Sequence, residues 1–296
     1  MTRALVLSGG GPVGIAWESG MTIGLAERGV QLADADLIVG TSAGSAVGAQ
    51  IALGRDLNEQ VARYRNADDA SPVAERSLLA RAATPERMAQ LIDMMGTVMT
   101  GDDDSDEARA RIGKFALETE TVPEADFVAV FGYLAGEDWP RRFACTAVDA
   151  ESGALVVWDG GNRAPLERAV ASSCAVPGLA PPITIDGRRY VDGGMRSPTN
   201  ADLAEGNDRV LVLSLIPTEA PAGDDPRAAR FGQRFAAELA LITAEGGTVE
   251  VVTPDAETAA VIGVDLMNPT ASLPAAEAGI RQGRALADRL AGFWVA

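Results

Sequence analysis

Apolar residues first appear in short unbroken runs, Ala4-Leu5-Val6-Leu7 and Leu37-Ile38-Val39, and a longer one fills positions 210–215. Such runs, partly β-branched and closed by glycine or serine, predict strands buried on both faces of a parallel sheet. Between them the apolar positions change to helical spacing. Helices are predicted over 15–29, 46–65, 75–101, 107–117 and about 123–133, with polar breaks at 66–72 and 102–107. Strands return at 142–148 and 155–158, and a short helix follows at 166–172. Two strands, 183–185 and 189–191, bracket a turn at Asp186-Gly187. A helix over 231–243, a strand over 249–252 and a closing helix over 273–294 complete the pattern. Strands alternate with helices, and no repeat or linker divides them. The pattern therefore predicts one α/β domain spanning 1–296, with a mostly parallel sheet.

Charge narrows the partners. The chain of 296 residues carries a formal charge of −17, so nothing supplies a basic footprint for nucleic acid. The same charge disfavours strongly anionic bilayers, while a local apolar patch leaves room for transient contact with a membrane surface. Nothing in the sequence sets the number of subunits. Only Cys145 and Cys174 are present, both among apolar or small residues, which predicts buried free thiols in a reducing compartment. The opening apolar run is far too short for a signal peptide, and no stretch approaches the length of a membrane span. A cytoplasmic location is expected. The acidic run 102–107 lacks the glycine and distal glutamate of a calcium-binding loop.

The strongest chemical signal follows the second strand: Gly40-Thr41-Ser42-Ala43-Gly44. A serine between glycines two residues away on either side, placed between a strand and a helix, predicts a sharp elbow that exposes the hydroxyl as a nucleophile. The chain contains no histidine, so a Ser-His-Asp triad is impossible and another side chain must take the proton. The single lysine, Lys114, has no S-x-x-K relation to Ser42. Among carboxylates Asp192 stands out, because it ends an apolar strand and precedes Gly193-Gly194. Spacing alone reads Asp-Gly-Gly equally well as a plain turn.

Ser8-Gly9-Gly10-Gly11-Pro12-Val13-Gly14 follows the first strand, and two readings compete for it. Gly9, Gly11 and Gly14 spell the dinucleotide-binding G-x-G-x-x-G between a strand and a helix. Against this, the next strand ends in Gly40-Thr41-Ser42 rather than in an acidic residue, and Asp34 and Asp36 precede it. In the rival reading the N–H groups of Gly9, Gly10 and Gly11 form an anion-binding nest beside the serine elbow. The methionine-rich middle of 75–101, with Met94 and Met95 at its centre, reads either as core packing or as a lid or acyl-chain contact.

Taken together, G-G-G-P-V-G, G-T-S-A-G, A-S-S-C-A-V-P and D-G-G, in this order, resemble the patatin-like phospholipase family over nearly the whole chain. The resemblance implies a three-layer α/β/α sandwich and a Ser-Asp dyad that works without histidine, metal or cofactor. It makes Ser42 the nucleophile, Asp192 the general base and Gly9, Gly10 and Gly11 the oxyanion hole. Gly40, Gly44, Gly193 and Gly194 shape the turns around them, and a helical lid or insertion falls within 66–135. The implied activity is hydrolysis of acyl-lipid esters through an acyl-enzyme. An acyltransferase or a catalytically weak lipid-binding member of the fold is the alternative. The chain departs from the family at Pro12-Val13, where many members carry a basic residue that would favour phosphate-bearing substrates.

Overall fold

A computed structural model describes residues 1–66, 105–162, 164–215 and 226–295. Its centre is an eight-stranded sheet in the order β5-β6-β3-β2-β1-β7-β8, with β4 also paired to β3. The strands are β1 Arg3–Leu7, β2 Leu37–Gly40, β3 Phe143–Asp149, β4 Leu155–Trp158, β5 Ile183–Ile185, β6 Arg188–Asp192, β7 Arg209–Leu213 and β8 Thr248–Val252. The five strands from β3 to β8 are mutually parallel, while β4 and β6 run antiparallel to β3 and β5 antiparallel to β6.

The helices are α1 Gly11–Ala26, α2 Ala43–Ala52, α3 Asn58–Arg65, α4 Asp106–Glu118, α5 Glu124–Ala129, α6 Leu166–Ser173, α7 Pro226–Ala244, α8 Ala256–Ile262 and α9 Ser272–Trp294. Side chains alternate across the sheet, so the two faces hold separate cores. Leu5, Leu7, Ile38, Leu211 and Leu213 pack with apolar residues of α1, α2 and α9. Ala4, Val6, Val39, Val210 and Val212 pack with Phe235 and Ile242 of α7. The result is the predicted α/β/α sandwich around a mixed sheet.

Two features differ from the expected pattern. The segment 46–65 is two helices rather than one, because the chain turns at Gly54 in the left-handed region (φ 68°) between α2 and α3. Helix α8, seven residues closed by Gly263, escaped the pattern because it spans only two turns. The predicted helix over 75–101, Met94 and Met95 included, lies outside the described residues.

Helices α1 and α9 set the position of the glycine loop. They run parallel, with Gly20 and Gly24 of α1 facing Gly279 and Gly283 of α9. A Cβ at Gly20 would lie 2.2 Å from the Ala276 carbonyl oxygen, and one at Gly24 2.3 Å from that of Ile280. The opposing glycines are equally tight, 2.5 Å from the Trp17 oxygen and 2.6 Å from that of Met21. Each helix therefore rests its backbone on the other's backbone, which only glycine permits. Gly20→Ala is expected to cost about 1–3 kcal/mol in urea unfolding through backbone overpacking. Gly292, also within α9, has nothing within 4 Å of its Cβ position. Gly292→Ala should instead stabilise by roughly 0.4–1 kcal/mol.

Candidate active site

Strand register brings the two candidate side chains together. Strand β2 pairs with β3 only as far as Gly40 opposite Cys145. Strand β6 runs the other way and pairs from Tyr190 opposite Asp149 to Asp192 opposite Ala147. Cys145 and Ala147 also pair with β4. A strand has two edges, so β2 and β6 share the edge of β3 away from β4 and approach end to end. Thr146 is the β3 residue between them. The elbow leaves one strand end, and Asp192 closes the other.

The elbow is built by exclusion of side chains. A Cβ on Gly40 would sit 2.5 Å from the Gly44 carbonyl oxygen, and one on Gly44 only 2.1 Å from that of Leu7. Between them Ser42 adopts φ 52° and ψ −118°. Left-handed backbone on a residue with a Cβ costs on the order of 1–3 kcal/mol and persists only where its surroundings dictate it. The surroundings are hydrogen bonds. The Ser42 N–H donates to Ser173 Oγ at 3.0 Å. The Ser42 carbonyl accepts from Ser45 Oγ at 2.7 Å and from the Cys174 thiol at 3.1 Å. Ser173 and Cys174 come from the A-S-S-C-A-V-P motif, at the C-terminal end of α6.

Asp192 is 2% exposed, whereas Ser42 is only half-buried. Burial pushes the Asp192 pKa up to about 7, against the opposing pull of the Ser42 side chain and the Gly194 N–H. That N–H donates to Asp192 Oδ1 at 2.7 Å. Gly193 is forced, because a Cβ there would lie 2.2 Å from Thr146 Oγ1. A carboxylate in this setting is a far better base at neutral pH than a solvated aspartate. Cys174 does not compete as nucleophile. Burial, with the nearby Asp192 charge adding to it, pushes its thiol up and keeps it protonated.

Gly9 is a correction to the expected three-donor nest. Its N–H donates to the Pro198 carbonyl at 2.8 Å and is spent there. Gly9 instead gives room: a Cβ on it would stand 3.4 Å from Ser42 Cβ. Gly10 and Gly11 follow at the start of α1, where helix N–H groups lack intrahelical partners. Gly11 has φ 58°, and its Cβ position is only 2.8 Å from both the Leu266 carbonyl oxygen and the Met267 sulfur. The dinucleotide reading finds no acidic residue at the right end of the sheet in Asp34 or Asp36, which both precede β2. Asp36 accepts from the Arg3 N–H at 2.9 Å, at the opposite end of the sheet from the glycine loop. Among the described residues no cluster of three or more acidic, cysteine or histidine side chains is arranged to hold a metal ion.

A family model for patatin-like phospholipases matches residues 5–205, from β1 through the loop beyond Asp192. The chain belongs to the patatin-like phospholipase family. An uncharacterized NTE family protein of Mycobacterium bovis is 30% identical over 224 residues, which cover 75% of this chain and 51% of that protein. Another, from Mycobacterium tuberculosis, is 27% identical over 220 residues, covering 74% of this chain and 31% of that protein. The chain thus spans about half the length, or less, of these relatives. Among solved structures, VipD from Legionella pneumophila aligns with a TM-score of 0.47 at 15% identity over 97% of this chain and 67% of its own. The type III effector ExoU aligns with a TM-score of 0.37 at 16% identity, covering 96% of this chain and 53% of its own.

Directly before the patatin-like glycine loop, Ser8 Oγ donates to the Gly9 carbonyl and accepts from the Leu215 N–H. Close by, Glu18 of α1 is fully buried with both carboxylate oxygens unpartnered, and burial holds its pKa well above the usual carboxylate range. Both raised carboxyls bind a proton more tightly folded than unfolded. Their contribution to stability is present below the unfolded pKa, about 4, and is lost as pH rises through the folded value. Asp192→Asn and Glu18→Gln remove that loss. In chemical denaturation each variant is expected to gain stability relative to wild type between pH 5 and pH 8, with little difference at pH 4.

Proposed function

We propose that this protein is a serine esterase, a lipid acyl hydrolase that cleaves carboxylic esters of phospholipids, lysophospholipids or related acyl lipids. The observation that carries the reading is the pairing of Ser42, on a strained elbow, with a buried Asp192 whose pKa is lifted to about 7. Family membership and the absence of histidine from the chain support the same dyad.

The reaction runs in two balanced halves. As Ser42 Oγ attacks the ester carbonyl carbon, its proton passes to the Asp192 carboxylate. The developing oxyanion takes hydrogen bonds from the Gly10 and Gly11 N–H groups at the start of α1, assisted by the helix dipole. Collapse of the tetrahedral intermediate breaks the ester C–O bond, and the alcohol leaves with the proton from Asp192. Water then gives its proton to Asp192 and attacks the acyl-serine; the acyl C–Oγ bond breaks, the acid leaves, and Asp192 returns the proton to Ser42 Oγ. Each oxyanion donor is worth about 2.7–4 kcal/mol, and the positioned base about 10²–10⁴ in rate.

In this reading residues 1–296 act as one domain in the cytoplasm. Two buried free thiols support the compartment. Lipid is met at a membrane surface rather than within it; among the described residues no helix is long and apolar enough to cross a bilayer.

The test is hydrolysis of p-nitrophenyl esters of graded chain length by wild type, Ser42→Ala and Asp192→Asn. Both variants are expected to lose at least a hundredfold in kcat. Asp192 works as a carboxylate, so wild-type kcat should fall on the acid side with a midpoint near 7 rather than near 4. A Ser42→Ala variant as active as wild type sinks the proposal. Transfer of the acyl group to an added alcohol, in place of free acid, would mark an acyltransferase. Gly11→Ala places a Cβ against the Leu266 carbonyl on left-handed backbone, and a drop of about 10²–10³ in kcat is expected.

A further inference from the structure

The dyad is assembled across a break in the sheet, and the break is filled by polar atoms. Thr41, the residue before the nucleophile, places its Oγ1 2.9 Å from Thr146 Oγ1 of β3. Asn200, in the chain that returns from Asp192, is completely buried and donates from Nδ2 to the Ser197 carbonyl at 2.6 Å and to Thr41 Oγ1 at 3.0 Å. The same nitrogen lies 3.3 Å from Thr146 Oγ1 and 3.4 Å from the Gly193 carbonyl. Its Oδ1 accepts from Arg196 Nη1 at 2.9 Å, and since arginine only donates, the amide orientation is fixed. Asn200 sits in the left-handed region, φ 47° and ψ 40°. Its own N–H donates to Ser197 Oγ at 3.0 Å. The turn is held from behind by Glu238 of α7, which accepts from Thr199 Oγ1 at 2.6 Å and from the Ala201 N–H at 3.0 Å.

We propose that Asn200 and Thr146 are positioning residues for the Ser42–Asp192 pair: one buried amide and one hydroxyl tie the last residue before the nucleophile to the Ser197 turn that follows the base. The inference rests on the dyad reading above. Backbone pairing cannot perform this task. The ladder of β2 with β3 stops at Cys145, and that of β6 with β3 stops at Ala147, so no sheet hydrogen bond spans from one strand end to the other. Two sets of contacts outside the ladders fix Ser42 against Asp192: the 173–175 segment, where Ser173 and Cys174 bind the Ser42 backbone and the Ala175 carbonyl accepts from the Asp192 N–H at 3.0 Å, and the side chains at Thr146. An apolar residue there would hold the strands apart by van der Waals contact alone. A hydroxyl and an amide hold them at hydrogen-bond length in a fixed direction, which is the precision that proton transfer requires.

Two substitutions remove the polar link while preserving the backbone. Thr146→Val keeps the branched shape without the hydroxyl. Asn200→Gly removes the amide and accepts the left-handed conformation without strain. Thr146→Ser retains the hydroxyl and serves as the conservative rescue. The measurements are kcat and KM on one p-nitrophenyl ester, with near-ultraviolet circular dichroism and thermal unfolding to confirm the native fold. The expected result is a kcat lowered at least tenfold in Thr146→Val and Asn200→Gly, KM within twofold of wild type, and Thr146→Ser within threefold of wild type on both constants.

A purely structural hub would lower the melting temperature and leave the kcat of the folded variants unchanged, and that outcome overturns the inference. So does a serine variant no better than the valine variant, or a loss that appears in KM. Failure of the dyad reading looks different: wild type itself does not turn over the ester, or Ser42→Ala matches it, and the positioning role then falls with the reaction it serves.

Discussion

Two strands meeting end to end on one edge of β3 is the constraint on which the rest depends. In a fully parallel sheet a single strand would accompany this edge of β3 along its whole length. Here β2 stops at Gly40, and β6, entering antiparallel, stops at Asp192. The gap between them is a single residue of the central strand, Thr146. Ser42 and the Asp192 carboxylate, 150 residues apart in sequence, thereby face each other at a sheet edge. The elbow, the two glycines after Asp192 and the buried polar turn at 197–201 are all consequences of fitting two chain ends into that gap.

Burial explains how the proposed dyad can run without histidine. An aspartate in water is too weak a base to take a serine proton at neutral pH. Enclosed at 2% exposure, with one N–H and one hydroxyl as its compensation, Asp192 rises into the range where histidine ordinarily works. The cost is a carboxyl that disfavours its own ionisation inside the fold. The strained Ser42 backbone is held against its own preference in the same manner, by Ser173, Ser45 and Cys174. Local destabilisation at the site is carried by the two apolar cores on either face of the sheet.

Much of this was legible in the sequence, and what was not follows a physical pattern. The apolar runs located β1, β2, β4 and β7 to within a residue or two, because short buried strands announce themselves locally. The elbow was legible for the same reason, since Gly40 and Gly44 constrain only their near neighbours. Asp192 was ambiguous between base and turn because its placement opposite Ala147 depends on register with β3, which no local spacing encodes. Gly9 was misread as an oxyanion donor: the Pro198 carbonyl that occupies its N–H comes from 189 residues later. Thr146 and Asn200 carried no signal of their own, being ordinary polar residues whose meaning lies in the partners that the topology gives them. The glycines at 20, 24, 279 and 283 stood in plain view as two spaced pairs, but only the packing shows that they face one another.

That helix pair has a consequence for how the protein is made. Helix α1 is synthesised before α9 and bears the glycine loop at its head, yet the surface on which its backbone rests is α9, some 250 residues later. The far end of α9 is fastened to the start of the sheet, where Arg209 Nη1 donates to the Phe293 carbonyl at 2.6 Å and Trp294 Nε1 to that of Gln31 at 2.9 Å. During synthesis the first helix therefore waits with a bare glycine stripe, and closure over such a sequence distance is entropically slow. The glycine loop acquires its final geometry only once α9 has docked. A chain still emerging holds a complete serine elbow well before the glycine loop beside it is locked in place.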